Sequence, residues 1–321
     1  MSECRICGNV ENNRIHVAKE MMFGMRDEFE YIECGNCGCL QIATIPENLN
    51  KYYPANDYYA YSNIQNQSKF KLFFKRRLAD HLLKRPNLLG ALLKMIYGEP
   101  FEAWWFNKTG VDYESEILEV GCGSGQLLLN MQNAGFRHLT GADPFIAADI
   151  HYGKGLAIHK KYTIELDKQF DLIMMHHSFE HVPEPLETLK DIQRLLKPGA
   201  HALIRIPVMP SYAWTKYGTD WVQLDAPRHL YLHSVRSMQI MAESANLTIT
   251  DVTYDSTDIQ FWGSEQYLQG IPLKDEKSYA VNRSKSIFTR EEIRNFRHQA
   301  SELNRQHQGD SACFILKSKN F

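Results

Sequence analysis

The sequence predicts an α/β fold: a doubly wound, Rossmann-like sheet of seven mostly parallel strands with an antiparallel last strand, preceded by a small zinc-ribbon-like module and a helical linker. Three observations predict this fold. A strand-like run at residues 116–120 leads through spaced glycines into a helical pattern, and strand-like and helix-like segments alternate after it. Two Cys-x-x-Cys pairs stand near the amino terminus.

Composition and charge are typical of a soluble globular protein and argue against several other classes. A chain of 321 residues can bury one large core or two smaller ones. With a formal net charge of −2, the chain has no general attraction for nucleic acid. Lys94 interrupts the longest apolar run, residues 88–96, which is too short to span a membrane. The first residues lack a basic region followed by an apolar segment, which predicts a cytoplasmic protein. The sequence does not fix the oligomeric state.

The cysteines of the first module, residues 1–45, predict a structural metal site. Each Cys-x-x-Cys pair is followed by a glycine and places two thiolates on a tight turn, and four thiolates complete a closed tetrahedral zinc site. A closed site has no position for substrate, so its expected role is to stabilise a small module. A redox or disulfide role is the alternative, and Cys39 is either a neighbouring thiol or an alternative to Cys37. The predicted ligands are Cys4, Cys7, Cys34 and Cys37.

The linker, residues 46–110, has two notable segments. Tyrosines crowd residues 52–61, where they would line a pocket for a polar ring or pack between domains. Residues 64–97 alternate basic and apolar positions, with eight basic residues between Lys69 and Lys94, and Pro86 predicts a division into two helices. Such helices suit an anionic membrane surface or an amphipathic linker packed on the next domain, and the linker interpretation is favoured.

The third region, residues 111–321, alternates strands and helices as a doubly wound sheet requires. An insertion at about 256–310 contains a helix expected to start at Thr289, and would serve as a lid or a dimer contact. A short helix is expected after Pro144. The predicted strands are residues 115–120, 138–143, 155–159, 170–175, 200–206, 247–254 and 312–316.

The turn after the first of these strands is typical of a nucleotide site. Glycines at 121, 123 and 125 let a ligand lie against bare backbone. A dinucleotide fingerprint would need glycine at position 126, where the chain has Gln126, and this argues against an NAD-dependent oxidoreductase. Asp143 ends the next strand and is placed to accept the hydroxyls of a ribose, although it would also suit a helix cap.

The order Glu119-x-Gly121-x-Gly123-x-Gly125 resembles the first motif of class I S-adenosylmethionine-dependent methyltransferases. The resemblance covers roughly residues 110–255, and the cysteine pairs resemble those attached to methyltransferases of sugar and secondary-metabolite biosynthesis. It implies that Glu119 and the three glycines bind S-adenosylmethionine, that Asp143 holds its ribose, and that zinc is a second, structural cofactor.

A histidine-rich stretch follows the fourth strand. His177-x-x-Glu180-His181 matches the pattern of one zinc peptidase group, which needs both histidines on one helix. The preceding strand and the prolines that follow predict a loop instead. At the carboxyl end of a parallel strand this loop would border the ligands, so His176, His177, Glu180 and His181 are candidates to line the donor and acceptor sites.

A second polar cluster lies between Trp214 and His233, a stretch expected to form a loop that covers the acceptor. Its Pro227-Arg228-His229 sequence resembles one found at this point in related small-molecule methyltransferases. His229 is the first candidate for a general base and His181 the second, and the alternative is that the imidazole only holds the loop by hydrogen bonds.

The predicted activity is methyl transfer from S-adenosylmethionine to a small molecule. The histidines favour a hydroxyl as the acceptor. The resemblance implies that this hydroxyl belongs to a sugar, glycan or secondary metabolite, as in polysaccharide biosynthesis. A C-methyltransferase of a nucleotide-linked keto sugar and an NAD-dependent oxidoreductase are the alternatives. Small-molecule substrates are the expected partners, nucleic acid is not expected, and membrane contact through residues 69–94 is not favoured.

Overall fold

The computed structural model of the chain describes residues 3–54, 69–83, 87–97 and 103–319. The strands are β1 (Arg14–Lys19), β2 (Glu28–Glu33), β3 (Leu40–Ile42), β4 (Glu116–Val120), β5 (His138–Ala142), β6 (Ile150–Gly153), β7 (Leu156–His159), β8 (Phe170–His176), β9 (Leu196–Met209), β10 (Tyr231–Ser234), β11 (Leu247–Tyr254) and β12 (Ser311–Ser318). The α-helices are α1 (Lys69–Leu82), α2 (Leu88–Tyr97), α3 (Ala103–Thr109), α4 (Gln126–Ala134), α5 (Pro185–Leu195), α6 (Tyr212–Tyr217), α7 (Val235–Ser244), α8 (Ile259–Leu268) and α9 (Arg290–Arg305).

The chain divides into two compact units. The first, here called the knuckle unit because it contains the cysteine pairs, comprises Met1–Pro54, His177–Glu187 and Ile204–Phe314. The second, here called the core unit, comprises Ala55–His176, Thr188–Leu203 and Ile315–Phe321.

The core unit is built on a parallel sheet. Its strands lie in the order β9, β8, β4, β5, β7 and β6, and β9 contributes its first residues. β4 pairs in parallel with β5 and β8, and β5 pairs in parallel with β7. The middle strands are fully buried, as Ile117 in β4 and Leu172 in β8 illustrate, because a parallel sheet is covered on both faces.

The knuckle unit combines two sets of strands. β1, β2 and β3 form an antiparallel sheet. β10 pairs antiparallel with β3 and in parallel with the end of β9, where His233 lies opposite Val208. β12 pairs with β9 and β11. It starts where both of them end, because Val208 N–H bonds to Asp310 O and Asp255 N–H bonds to Ser311 O, so it runs antiparallel to them.

The predicted fold class is confirmed, because all seven predicted strands form and the last is antiparallel. β11 has the predicted bounds, and β9 is longer than predicted at both ends. The helices predicted within residues 69–97 are α1 and α2, and Pro86 lies outside the described residues. The helix at Thr289 also forms, with Glu292 N–H donating to the Thr289 hydroxyl in a capping box.

Two local predictions were wrong. No helix follows Pro144; residues 144–149 form turns and bends, and the antiparallel hairpin of β6 and β7 comes next. The Asp143 carboxylate accepts the Phe145 N–H, and such a local turn competes with a helix start. The stretch from Trp214 to His233 is not a single loop, because it contains part of α6, two short 3₁₀ turns and β10.

None of the described helices is both long and apolar enough to cross a membrane.

Candidate functional site

Between β4 and α4 the chain makes a tight turn on three glycines. Gly121, Gly123 and Gly125 have φ angles of 70°, 53° and 80°, a region that side chains other than glycine rarely adopt. A Cβ on Gly125 would lie 2.6 Å from Ile158 Cδ1, so even alanine would displace that side chain. The turn therefore offers backbone without side chains, as the sequence predicted.

Asp143 holds this turn from the end of β5. Its Oδ2 accepts a hydrogen bond of 2.8 Å from Gly123 N–H, and its Oδ1 accepts one of 2.9 Å from Phe145 N–H. Each carboxylate oxygen has a further lone pair, so the residue can still accept hydroxyl groups from a ligand. The sequence predicted a ribose ligand here and missed the structural role that Asp143 plays for Gly123.

Glu119 brings a second buried carboxylate to this place. The residue is 5% exposed, and its Oε2 has no hydrogen-bond partner among the described residues. Burial, followed by the negative charge of Asp143, raises the pKa of Glu119 to about 8. A ligand with positive charge would relieve this repulsion, and one with hydroxyl groups would use Asp143. S-adenosylmethionine has a sulfonium, an ammonium and a ribose, so these residues fit it.

His176 ends β8 in the core unit and stacks on an indole. Its ring lies 4.4 Å from that of Trp105 between centroids, with an angle of 23° between the planes. Trp105 is 2% exposed. Trp105 was not among the predicted site residues, although the adjacent tryptophans at 104 and 105 are a visible signal in the sequence.

In the knuckle unit the four predicted cysteines come together. Cys4 Sγ lies 3.6 Å from Cys37 Sγ, and Cys7 Sγ lies 3.5 Å from Cys34 Sγ. Two thiolates on one tetrahedral zinc ion are about 3.8 Å apart for a Zn–S bond of about 2.3 Å. The backbone N–H groups of Asn36 and Cys37 each lie 3.4 Å from Cys34 Sγ and support that thiolate. The four cysteines therefore fit a zinc ion.

Cys39 lies outside this cluster. It is buried, and its Sγ is 3.9 Å from His233 Nδ1. Because Cys37 supplies the fourth sulfur, Cys39 is a neighbouring thiol and not an alternative ligand.

The histidine cluster, defined as Glu180, His181 and His229, also lies in the knuckle unit. One ligand atom from each of the three residues lies within 4.8 Å of the other two. The two imidazole rings are 4.7 Å apart between centroids. The chain forms a 3₁₀ turn at Phe179–His181, so the predicted loop is confirmed and the long helix of a zinc peptidase is absent from this described segment.

Both histidines of the cluster are held in one tautomer. His181 Nδ1 lies 2.8 Å from Arg228 O, and His229 Nδ1 lies 2.7 Å from Gln223 O. A carbonyl oxygen can only accept, so each Nδ1 carries the proton and donates it. The lone pair of each neutral ring is therefore on Nε2.

Glu180 is the buried centre of the cluster. It is 0% exposed, and neither carboxylate oxygen has a hydrogen-bond partner among the described residues. His177 Nδ1 and His229 Nε2 lie 3.5 Å and 3.9 Å from Oε1. Burial alone would raise the pKa of Glu180, but the contact with His177 and the charges that His181 and His229 can carry lower it. Burial, followed by the charge of His181, lowers the pKa of His229 to about 4.

A buried ion-pair network holds the segment that contains His229 in place. Arg228 is 0% exposed and donates to Glu20 Oε1 at 3.0 Å and to Asp225 Oδ1 at 2.6 Å. It also donates to Tyr52 O at 3.1 Å. Arg228 was predicted only as part of a resemblance, and Glu20 was not predicted at all. A pairing between residues 208 positions apart leaves no local signal in the sequence.

His177 is fixed from its other side. Arg205 donates to Asp255 Oδ2 at 2.5 Å and also to His177 Nε2. Since Arg205 can only donate, His177 Nε2 is the acceptor and its Nδ1–H faces Glu180. His177 adopts a φ of 49°, which is uncommon for a residue other than glycine.

Two of the predicted tyrosines are described. Tyr53 Oη lies 3.1 Å from His181 Nδ1, so this residue reaches the histidine cluster. Tyr52 is buried, donates to Asp27 at 2.7 Å and packs edge-on against Phe29. The other tyrosines of residues 52–61 lie outside the described residues.

The structure groups the predicted site residues by unit. Glu119, the three glycines, Asp143 and His176 belong to the core unit. The cysteines and the histidine cluster belong to the knuckle unit.

Comparison with known proteins gives the family. Residues 76–252 match a family model described as a methyltransferase domain. The chain is 26% identical over 169 residues to the ubiquinone biosynthesis O-methyltransferase of Aeromonas salmonicida. This alignment covers 47% of this chain and 70% of that protein. It is 27% identical over 172 residues to the protein of the same name from Pseudomonas aeruginosa, with 48% of this chain and 73% of that protein covered. The solved structure of a SAM-dependent methyltransferase from Archaeoglobus fulgidus is similar with a TM-score of 0.40 at 18% identity, covering 72% of this chain and 100% of that chain.

The family model spans more than half of the 321 residues. This decides between the two enzyme classes that the sequence left open, and the NAD-dependent oxidoreductase is set aside. The chain belongs to the methyltransferase domain family and is a class I S-adenosylmethionine-dependent methyltransferase.

Proposed function

We propose that the chain transfers the methyl group of S-adenosylmethionine to a hydroxyl oxygen of a small molecule, of the class of sugars, glycans or secondary metabolites. The observation that carries this proposal is the histidine cluster, which sets two imidazoles around a buried carboxylate. Glu180 and His181 follow β8 in the chain, and in open α/β sheets the residues after the carboxyl ends of the strands border the ligand. The relatives from Aeromonas and Pseudomonas, both named O-methyltransferases, support oxygen as the acceptor.

On the donor side, the residues of the core unit have distinct roles. The glycine turn lets the donor approach the backbone, and Asp143 accepts hydrogen bonds from the ribose hydroxyls while it keeps Gly123 in place. Glu119 supplies negative charge toward the positive groups of the donor. His176, fixed against Trp105, borders the same donor.

On the acceptor side, the protein must remove the proton of the acceptor hydroxyl. S-adenosylmethionine supplies a methyl group already activated on a sulfonium. As the new carbon–oxygen bond forms and the carbon–sulfur bond breaks, the hydroxyl must give up its proton. His229 is the first candidate to receive it through the Nε2 lone pair, and His181 is the second. Tyr53, next to His181, would help to position the acceptor.

We also propose that the four cysteines hold a structural zinc ion. The spacing of the sulfurs and the N–H groups that face Cys34 Sγ support a closed site with no position for substrate. Metal analysis of the purified chain should find zinc, and replacing Cys37 by serine should remove it.

The function is tested with labelled S-adenosylmethionine and a panel of hydroxylated acceptors that includes nucleotide sugars and phenols. We expect the label on an acceptor oxygen, and a loss of turnover of about 100-fold or more in His229→Asn. His298→Ala is the matched control, because this side chain is 77% exposed on α9. Label on an acceptor carbon would replace the proposal by C-methylation of a keto sugar, and label on a nitrogen, or on none of the hydroxylated acceptors, would overturn it.

A further inference from the structure

We propose that Glu180, His181 and His229 form a binding site for a divalent transition-metal ion, separate from the cysteine cluster. The set offers two imidazole nitrogens and one carboxylate within 4.8 Å of one another. Two histidines and a carboxylate are the protein ligands of many iron and zinc sites that keep open positions.

The orientation of the two histidines is the first reason. A histidine that binds a metal through one ring nitrogen almost always donates the other N–H to a carbonyl or carboxylate. Both rings do so here, because each Nδ1–H is donated to a backbone carbonyl, of Arg228 for His181 and of Gln223 for His229. The cluster therefore has two free lone pairs on nitrogens that cannot be reoriented without breaking a hydrogen bond.

The carboxylate is the second reason. Glu180 is 0% exposed, and its two oxygens have no hydrogen-bond partner in the described part of the chain. A buried carboxylate without hydrogen bonds is costly unless a cation compensates it. The guanidinium of Arg228 is already bound by Asp225 and Glu20. Imidazoles lie beside the Glu180 carboxylate, with His177 Nδ1 at 3.5 Å and His229 Nε2 at 3.9 Å from Oε1, and a divalent cation would compensate its charge more fully than neutral imidazoles do.

The distances fit an ion after a small closure. His229 Nε2 lies 3.9 Å from Glu180 Oε1. Two ligand atoms bound at about 2.1 Å to one ion lie roughly 3.0 to 3.4 Å apart. This pair would therefore close by about half an ångström, and a pair at the 4.8 Å limit of the cluster would close by roughly 1.5 Å. Three protein ligands leave at least one coordination position for an exogenous oxygen.

This inference deepens the proposed function and rests on it for the chemical purpose of the ion. A hydroxyl bound to a divalent ion loses its proton far more readily than a free one. With the ion bound, Glu180, His181 and His229 would be its ligands, and the ion would take over the activation of the acceptor hydroxyl that the proposed function assigns to His229 or His181. The hydroxyl proton would pass to solvent, and the bond from the acceptor oxygen to the methyl carbon would form as the carbon–sulfur bond breaks and S-adenosylhomocysteine leaves.

The test uses Co²⁺ with the full chain whose cysteine cluster is loaded with zinc. We expect one further equivalent of Co²⁺, with the weak visible bands of nitrogen and oxygen ligands and without thiolate charge-transfer bands. Glu180→Gln and His229→Asn should each weaken this binding by at least about 100-fold. His298→Ala should bind Co²⁺ like the wild type, because it removes an exposed imidazole elsewhere in the knuckle unit.

Retention of zinc by the cysteine cluster shows that each variant still folds, since this cluster belongs to the same unit. The site is disproved if the wild type takes up no further Co²⁺, or if Glu180→Gln binds it unchanged in a folded chain. Methyl transfer is measured separately. Co²⁺ binding without O-methylation would support the metal site and contradict the proposed function. O-methylation by a chain that takes up no Co²⁺ would support the proposed function and contradict the metal site.

Discussion

Two buried glutamates of this chain, Glu119 and Glu180, have pKa values that different neighbours shift in opposite directions. Glu119 in the core unit is 5% exposed and Glu180 in the knuckle unit is 0% exposed. Among the described residues, Oε2 of Glu119 and both carboxylate oxygens of Glu180 have no hydrogen-bond partner. Yet the pKa of Glu119 is raised to about 8, whereas the pKa of Glu180 is lowered.

The neighbours explain the contrast. Burial raises the pKa of both groups, and near Glu119 the next contribution is the negative charge of Asp143, which raises it further. Near Glu180 the imidazoles of His177, His181 and His229 outweigh burial. Glu119 therefore keeps a proton until a positively charged ligand arrives, and Glu180 remains an anion that lacks a full counterion.

The largest expected effect comes from removing the buried guanidinium near the second glutamate. Arg228→Met leaves Glu20 and Asp225 buried without their partner. These two carboxylates would then repel each other, as Glu119 and Asp143 do in the core unit. Breaking a buried ion pair in this way costs about 3–5 kcal/mol. Chemical denaturation should show this loss, and Arg236→Met, which removes an exposed arginine bonded to Asn36, should change stability little. A loss below about 1 kcal/mol would mean that the network is not needed.

The second prediction concerns Glu119 and pH. Its folded pKa of about 8 exceeds the ordinary value of 4.5, so the folded state binds a proton more tightly than the unfolded chain does. The stability of the cofactor-free protein should therefore fall as pH rises from about 4.5 to about 8, and Glu119→Gln should remove this loss. We expect the variant to match the wild type near pH 4.5 and to be roughly 2 kcal/mol more stable near pH 6. Equal pH profiles for the two proteins would contradict the raised pKa.

The third prediction removes the charge next to Glu119. Asp143→Asn takes away the negative charge that raises the pKa of Glu119, so the pH at which stability is lost should move down. It also weakens the ribose contact, and calorimetry should show a loss of S-adenosylmethionine affinity of about 10-fold to 100-fold. Asp167→Asn, an exposed carboxylate of the core unit, is the control. Unchanged affinity for the donor would place its ribose elsewhere.

The sequence predicts the surroundings of Glu119 better than those of Glu180, because sequence patterns report residues that are close together in the chain. The turn around Glu119 was predicted well, because its strand, glycines and helix lie within about 20 residues and each has its own composition signal. Even there a neighbouring contact decided one detail: the turn at Asp143 replaced the helix expected after Pro144.

The surroundings of Glu180 were predicted less well. His181 and His229 were recognised as candidates, but their common orientation depends on backbone carbonyls of Arg228 and Gln223 that no sequence pattern reports. The Glu20–Arg228 pair joins residues 208 positions apart. Such non-local pairings depend on tertiary packing, so periodicity and motif spacing do not disclose them.

The smallest expected effect comes from His177, the residue that faces Glu180 without belonging to the cluster. His177→Asn keeps a residue that tolerates a φ of 49°, but it removes the N–H that lies 3.5 Å from Glu180 Oε1. Because His177 orients the carboxylate and is not a proposed ligand, Co²⁺ affinity at the histidine cluster should fall only about fivefold to tenfold. His307→Asn is the matched control, since His307 also has a positive φ, of 56°, and is exposed. A loss as large as that expected for Glu180→Gln would make His177 a ligand, and no loss would mean that the other neighbours alone orient Glu180.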